Sequence, residues 1–139
     1  MILTLNVKLL FGLYAEDAWE GTIEIDERST LLDLHDTIQR ALRFDNDHMF
    51  EFYVARTPRS HERIHYDDEN ERLYDTAIGS LYPLPTDRNL YYLFDYGDSW
   101  LFKIGKTRHK PAKPKPRVKY PRLIHTEGKR PEQYPEPEE

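Results

Sequence analysis

The chain has 139 residues, no cysteine and a formal net charge of −5 at pH 7. The lack of cysteine excludes disulfides and thiolate metal sites, and the length suits one domain of ordinary size. No apolar run is long enough to span a bilayer, and residues 1–14 lack the basic start of a signal peptide. We therefore expect a cytoplasmic protein that makes no membrane contact.

Charge is divided unevenly along the chain. Residues 1–104 carry 10 Lys and Arg against 20 Asp and Glu, whereas residues 105–139 carry 10 against 5. Seven of the ten prolines lie between Pro111 and Pro137. An acidic body thus precedes a basic, proline-rich extension, and the acidic body argues against a broad phosphate-binding surface on that part of the chain.

The first predicted elements are two strands and a helix. Alternation of apolar and polar residues predicts strands over residues 2–11 and 19–26. In the first strand, the side chains expected to point into the core are those of Leu3, Leu5, Val7, Leu9 and Phe11. Residues 29–44 are predicted to form a helix, in which Thr30 is the N-cap and Asp33 completes a capping box. Its apolar stripe is Leu31, Leu34, Ile38, Ala41 and Leu42, and its solvent side is Asp36, Gln39, Arg40 and Arg43.

The second half predicts a strand, a loop and a hairpin. Apolar and polar residues alternate over 50–54, which predicts a third strand. The charged residues 56–72 indicate a long loop, and residues 75–82 are expected to form one or two helical turns. Two further strands, over 90–95 and 99–104, flank a turn. Gly97 is expected to take the positive φ of that turn, and the aspartates on either side to bond its backbone. Residues 118–124 supply apolar contacts for a further strand or a docking segment.

This β-β-α-β-loop-β-β order predicts a single α+β domain. One main helix would cover one face of a mixed sheet in a β-grasp-like arrangement. We expect the core domain over residues 1–105 and a basic Lys/Pro-rich extension docking on it over 106–135. Residues 136–139 are expected to form a disordered end.

Four segments of the chain carry a family resemblance. They are Leu31-Leu32-Asp33-Leu34-His35-Asp36-Thr37-Ile38-Gln39, His48-Met49-Phe50-Glu51-Phe52, Phe94-Asp95-Tyr96-Gly97-Asp98-Ser99-Trp100, and Tyr120-Pro121-Arg122 with Gly128 and Pro131-Glu132. In this order they resemble the plasmid pRiA4b ORF-3-like family, which includes insertion-element passenger proteins labelled transposon resolvase-like. The resemblance implies a shared fold and an association with plasmids or mobile elements, and it implies no activity. The chain departs from the family at Phe102, where His is usual, and at Gln133-Tyr134, where the usual Asp and Gly are missing.

Residues around the predicted hairpin form a candidate binding surface. Its members are His35, His48, Glu51, Asp95, Tyr96, Asp98 and Trp100. If the histidines and carboxylates converge, they would bind a divalent metal or perform acid–base chemistry. The plainer interpretation is that the aspartates bond turn amides and that His35 caps a neighbouring strand end.

Aromatic residues lie along the two strands of the same hairpin. They are Tyr91, Tyr92, Phe94, Tyr96, Trp100 and Phe102. Alternation divides them between the two faces of the sheet, so at least one set belongs to the core. The set on the open face is either a cross-strand ladder or a surface for stacked bases or a peptide.

The segment His61-Glu62-Arg63-Ile64-His65 matches the letters of the helical zinc motif H-E-x-x-H. On a helix the two histidines would share one face and bind zinc, and Glu62 would activate a water. The nearby Pro58, the internal Arg63 and the lack of an apolar stripe favour a charged loop instead. His61 and His65 are therefore weak metal candidates.

A run of basic residues without acids comes after the hairpin. It consists of Lys106, Arg108, Lys110, Lys113, Lys115, Arg117 and Lys119. Such a run would neutralise phosphates of a nucleic acid and make binding salt-dependent. The favoured alternative is a solvated spacer that docks on the acidic body of the same chain.

These patterns favour a non-enzymatic binding or adaptor module that uses the surface around Asp95–Trp100. Its partner would be an unknown protein or small molecule, and no cofactor is expected. The first alternative is a nucleic-acid-binding accessory protein that uses the basic run. The second alternative is a metal-dependent hydrolase. The oligomeric state is not defined by the sequence.

Overall fold

One sheet of seven strands forms the frame of the chain in the computed structural model, which describes residues 1–135. In chain order the elements are β1 (Ile2–Phe11), β2 (Trp19–Asp26), α1 (Leu31–Leu42), β3 (Phe50–Ala55), β4 (Ile64–Tyr66), α2 (Arg72–Asp75), α3 (Ile78–Leu81), β5 (Asn89–Phe94), β6 (Trp100–Lys106) and β7 (Arg122–Gly128). Across the sheet the strands lie in the order β4-β3-β5-β6-β1-β2-β7. The α+β class is confirmed. Within residues 1–135, none of the helices is long and apolar enough to cross a bilayer.

Every neighbouring pair of strands is antiparallel. The prediction of a mixed sheet is therefore wrong, and the β-grasp-like arrangement is not confirmed. The physical reason is the placement of the crossover. Helix α1 joins β2 to β3, which run in the same direction, but β1, β6 and β5 lie between them. A helical crossover makes a parallel pair only when the two strands it joins are neighbours.

Helix α1 begins and packs largely as its sequence predicts. The Thr30 hydroxyl accepts a hydrogen bond from the Asp33 amide at 3.3 Å, and the Asp33 carboxylate accepts one from the Thr30 amide at 2.9 Å. This capping box satisfies two amides that the first helical turn leaves free. Leu31, Leu34, Ile38 and Leu42 are buried against the sheet, and Ala41 is half-buried. The prediction that Gln39 faces solvent is wrong, because its side chain is buried, with 3% of the residue exposed.

The core lies between α1 and one face of the sheet. Side chains of β1 alternate into it as predicted as far as Leu9. Phe11 is 56% exposed, so its predicted inward orientation is wrong. The register between β1 and β6 shifts between Leu9 and Phe11, and an irregularity of one residue reverses the face to which a side chain points.

The charged stretch over residues 56–72 contains a short edge strand as well as a loop. Strand β4 pairs with the outer edge of β3, with Phe52 opposite Tyr66 and Val54 opposite Ile64. Its side chains remain largely exposed, so no apolar alternation marks it in the sequence. The predicted helical turns over 75–82 are present as α3.

The chain after β6 continues beside the start of β1. The Thr107 amide donates to the Thr4 carbonyl oxygen at 2.9 Å, and Ile2 and Ala112 exchange two backbone hydrogen bonds. Strand β7 then pairs with β2, so the further strand expected near 118–124 begins at Arg122. The boundary at residue 105 stays a prediction, and the end predicted as disordered, 136–139, lies outside the described residues.

The turn between β5 and β6 has a different backbone from the one expected. Positive φ angles occur at Asp95 (60°) and Ser99 (56°), and Gly128 is the glycine in the described residues that has one. The prediction for Gly97 is therefore wrong. The Asp95 carboxylate accepts hydrogen bonds from the amides of Gly97 at 3.1 Å and Asp98 at 3.3 Å, which confirms the turn-bonding role of this aspartate. Such local bonding lets Asp occupy the left-handed region.

We expect Gly128→Ala to lower the free energy of unfolding by about 1–3 kcal/mol and Gly97→Ala to change it by less than about 0.5 kcal/mol. Gly128 has a φ of +86°, and a Cβ there would lie 2.0 Å from the Ala18 carbonyl oxygen. A Cβ on Gly97 would meet nothing closer than the Asp95 carboxylate at 3.4 Å. Urea denaturation of both variants measures the difference. A Gly97→Ala loss as large as that of Gly128→Ala would contradict the turn geometry.

Candidate functional site

The seven residues of the predicted binding surface lie in separate places. His35 and Trp100 are buried in the core at 1% and 0% exposure. His48, Asp95 and Asp98 gather at the end of the sheet where β5 turns into β6. Glu51 lies elsewhere, beside His65, and Tyr96 stands exposed at the tip of the turn. The predicted convergence is therefore partial.

A closed ring of hydrogen bonds explains why His35 and Gln39 are buried. The His35 Nε2 lies 2.6 Å from the Asn46 side-chain oxygen, and the Gln39 amide donates to the Tyr92 hydroxyl at 2.9 Å. His35 Nδ1 contacts the same hydroxyl, and the Asn46 backbone amide donates to the Gln39 side-chain oxygen at 3.1 Å. We name these four residues the polar ring. Since the Asn46 oxygen only accepts, Nε2 carries the proton and Nδ1 accepts from Tyr92.

The polar ring gives His35 a structural role. Burial lowers the pKa of His35, and its ring stacks on Phe50 with centroids 3.5 Å apart. A second proton, on Nδ1, would face a Tyr92 hydroxyl that already accepts from Gln39. The Tyr92 hydroxyl could then no longer donate its own proton to Nδ1, and that hydrogen bond would be lost. His35 is therefore held neutral in the core and is not available as a surface ligand or base.

A second group of polar residues joins three distant parts of the chain, and we name it the hairpin-end cluster. His48 Nε2 lies 2.6 Å from the Tyr134 hydroxyl oxygen and 3.4 Å from an Asp95 carboxylate oxygen. The Tyr134 hydroxyl donates to the Asp47 carboxylate at 2.7 Å. The members are Asp47, His48, Asp95, Asp98 and Tyr134.

A hydrogen bond, partial burial and a neighbouring charge shift the pKa values of Asp47, Tyr134 and Asp98. The bond from Tyr134 lowers the pKa of Asp47 and raises the pKa of Tyr134 to about 12. Because Tyr134 gives its proton to Asp47, its oxygen accepts from His48 Nε2–H, so this nitrogen is not a free base. Partial burial and the neighbouring charge of Asp95 raise the pKa of Asp98. The polar groups of the hairpin-end cluster therefore contact mainly one another.

Gln133 shows what the hairpin-end cluster holds in place. Its side chain is 6% exposed, accepts from the Asp45 amide at 2.7 Å and donates to the Asp47 carboxylate at 2.8 Å. The segment around residues 133–134 is thereby fastened to the connection between α1 and β3. Sequence reasoning missed Asp47, Gln133 and Tyr134 as partners, because more than 80 residues separate them along the chain.

Most of the aromatic run lies in the core. Tyr92, Phe94, Trp100 and Phe102 pack under α1, which confirms the core interpretation for that set. On the other face Tyr91 packs against Tyr53 with ring centroids 5.2 Å apart and ring planes tilted by 32°, and both residues are buried. Tyr96 is 47% exposed, and its burial by neighbouring groups, together with nearby carboxylates, raises its pKa to about 12. A stacking platform of several exposed rings is therefore not supported.

The letters H-E-x-x-H do not form a helical zinc motif. His61 lies in a loop and His65 in strand β4, so they do not share a helix face. His65 Nδ1 instead lies 3.0 Å from a Glu51 carboxylate oxygen. The helical zinc interpretation is therefore wrong.

The seven basic residues between Lys106 and Lys119, which we name the basic segment, are all exposed. Within residues 1–135 none of them forms an ion pair with a carboxylate. Backbone hydrogen bonds to Ile2 and Thr4 hold this part of the chain in place. The contacts that join this segment to the body in the described chain are therefore backbone hydrogen bonds, and its docking through opposite charges stays a prediction. The basic segment lies at the end of the sheet away from the hairpin-end cluster.

We expect the free energy of unfolding to fall as the pH drops below about 6.5, because the unfolded chain then protonates His35 before the folded chain does. Above that pH the contribution of His35 is fully present. Urea denaturation across pH 5–8 should show this loss, and it should be smaller in His35→Gln. An NMR titration that places the pKa of His35 at or above 6.5 would contradict the neutral ring.

The chain is similar to proteins whose function is unknown. The family profile described as plasmid pRiA4b ORF-3-like protein matches residues 2–134. A solved structure of a protein of unknown function, MM3350 from Methanosarcina mazei Go1, superimposes with a TM-score of 0.71 at 21% identity, covering 90% of this chain and 68% of the other. At that identity the likeness concerns the fold alone. No curated protein matches. Because the profile spans nearly the whole chain, including all four segments of the resemblance, the protein belongs to the plasmid pRiA4b ORF-3-like family.

Proposed function

We propose that the protein is a non-enzymatic binding protein that holds nucleic acid through the basic segment. The observation that supports this most directly is that seven cationic side chains in 14 residues are exposed and form no ion pair with a carboxylate of residues 1–135. Unpaired cations on the surface are available to phosphates, and each contact releases a counterion from the nucleic acid.

The way the basic segment is held also supports phosphate binding. Hydrogen bonds at Thr107 and Ala112 fix it to the start of β1, and the Lys115 amide donates to the Tyr120 hydroxyl at 3.2 Å. Binding would therefore cost less backbone entropy than ordering a free tail. The anchors at Thr107 and Ala112 flank Arg108, His109 and Lys110 along the chain.

The acidic body limits how the nucleic acid would bind. Residues 1–104 carry an excess of ten negative charges, and phosphates are repelled from them. Contact would be confined to one end of the molecule, with modest affinity and little base specificity, because lysines and arginines that contact phosphate do not read sequence. The family name, which refers to a plasmid, is compatible with this proposal.

The other two functions have weaker support. A protein or small-molecule partner at the hairpin tip would contact Tyr96 and His48, the exposed members of the predicted surface. Of the other members, His35 and Trp100 are buried, Glu51 pairs with His65, and Asp95 and Asp98 lie beside His48. At the predicted surface a metal-dependent hydrolase would need a free base near its metal, whereas there His35 is buried and His48 Nε2 contacts Tyr134 and Asp95.

We expect the triple variant Lys110→Gln, Lys113→Gln, Lys115→Gln to bind nucleic acid at least about tenfold more weakly than the wild type. With about five phosphate contacts, wild-type affinity should fall on the order of 10²–10³-fold between about 50 and about 200 mM salt. The slope of log affinity against log salt should become shallower by about one for each lysine removed. Fluorescence anisotropy with labelled duplex DNA and single-stranded RNA measures both quantities.

The matched control removes three positive charges elsewhere. Lys8→Gln, Lys103→Gln, Lys129→Gln has the same net charge as the test variant but leaves the basic segment intact, so it should bind nearly as well as the wild type. Equal loss in the two triple variants would indicate a general charge effect and contradict the proposal. Failure of the wild type to bind either nucleic acid at low salt would do the same, and the hairpin tip would then be the surface to test.

A further inference from the structure

Three metal-binding atoms come together on the face of the sheet opposite α1. One carboxylate oxygen from Glu51, one from Asp67 and a ring nitrogen of His65 all lie within 4.8 Å of one another. The closest pair is His65 Nδ1 and Glu51 Oε2, 3.0 Å apart. These residues come from β3, from β4 and from the position just after β4, so two strands of the sheet set their separation.

The strand register places two like charges opposite each other. Phe52 faces Tyr66 and Tyr53 faces His65, so continuing the register puts Glu51 opposite Asp67. Carboxylates in directly opposed positions destabilise a strand pair. The Glu51 side chain is only 14% exposed, and neither carboxylate pairs with a Lys or Arg of residues 1–135. Within the described chain, His65 is the group that faces this negative charge.

Residues next to Glu51, His65 and Asp67 add negative charge and hold His65 and Asp67 in position by hydrogen bonds. The carboxylates of Glu51, Asp67, Asp68 and Glu69 all lie close enough to Tyr96 to help raise its pKa. The Asn70 side chain donates to the His65 carbonyl oxygen at 2.8 Å, and the Asn70 amide donates to the Asp67 carboxylate at 3.0 Å. A cation would thus meet donor atoms that are already positioned.

We propose that Glu51, His65 and Asp67 bind one divalent transition-metal ion. An imidazole nitrogen with two carboxylate oxygens suits Zn²⁺ or Mn²⁺, whereas Mg²⁺ and Ca²⁺ prefer oxygen ligands alone. The general order of affinities places Zn²⁺ above Mn²⁺. Three protein ligands leave positions for water, so the site is open and not a closed structural site.

Isothermal titration calorimetry of the full chain with zinc chloride tests this site. We expect one Zn²⁺ per wild-type chain, and at least about tenfold weaker binding in each of Glu51→Gln, His65→Ala and Asp67→Asn. Titration with magnesium chloride should show much weaker binding. The matched control is His61→Ala, which removes the other histidine of the same sequence motif. It lies in an exposed loop outside the three-residue group, so it should bind Zn²⁺ as the wild type does.

Two results would overturn the site. One is the absence of Zn²⁺ binding by the folded wild-type chain, which would leave His65 as an ion-pair partner of Glu51 only. The other is a His65→Ala variant that keeps wild-type affinity, which would place the metal on other histidines such as His109 or His125. Circular dichroism of each variant separates loss of a ligand from loss of fold, and because His65 is exposed, its replacement should leave the fold intact.

Discussion

The polar ring of His35, Gln39, Asn46 and Tyr92 is the constraint on which the arrangement of this molecule depends. Three members, His35, Gln39 and Tyr92, are buried polar groups, each of which would cost about 1–3 kcal/mol if left without a partner, and the fourth, Asn46, is exposed. All four find partners only when α1 has one rotation and one height above β5, and when the chain after α1 turns back through Asn46. Burial of the apolar stripe packs α1 against the sheet, and the hydrogen bonds of the polar ring fix the rotation and position of the helix there.

The position of α1 determines where the next segment of the chain lies. Asn46 is directly succeeded by Asp47 and His48, which bind Gln133 and Tyr134 from the opposite end of the sequence. The polar ring is thus connected through the backbone to the hairpin-end cluster. There His48, Tyr134 and the carboxylates of Asp47 and Asp95 contact one another, and these contacts join residue 134 to the connection between α1 and β3. Charges without such partners lie elsewhere: within residues 1–135 the cations of the basic segment form no ion pair with a carboxylate, and the opposed carboxylates of Glu51 and Asp67 pair with no Lys or Arg.

Local rules worked well wherever a single stretch of chain decides the outcome. The capping box at Thr30, the inward alternation of β1 through Leu9 and the hairpin over β5 and β6 all result from interactions between neighbouring residues. Local rules failed where a distant partner changes the balance. The helical pattern places Gln39 on the solvent side of α1, but its side chain donates a hydrogen bond to the buried hydroxyl of Tyr92, 53 residues away. Gly97 looks like the flexible point of its turn, but the Asp95 carboxylate stabilises a positive φ at Asp95 itself.

The sequence by itself determined the class of fold, the position of the main helix and most strands, the uneven distribution of charge and the family, because periodicity, capping and composition are properties of neighbouring residues. Only the tertiary structure decided the antiparallel strand order, the burial of His35 and Trp100, the pairing of His65 with Glu51 and the unpaired state of the basic segment within the described chain. These depend on contacts between residues far apart in the chain. Hydrogen-bond satisfaction and strand register set those contacts in three dimensions, and no local pattern encodes them.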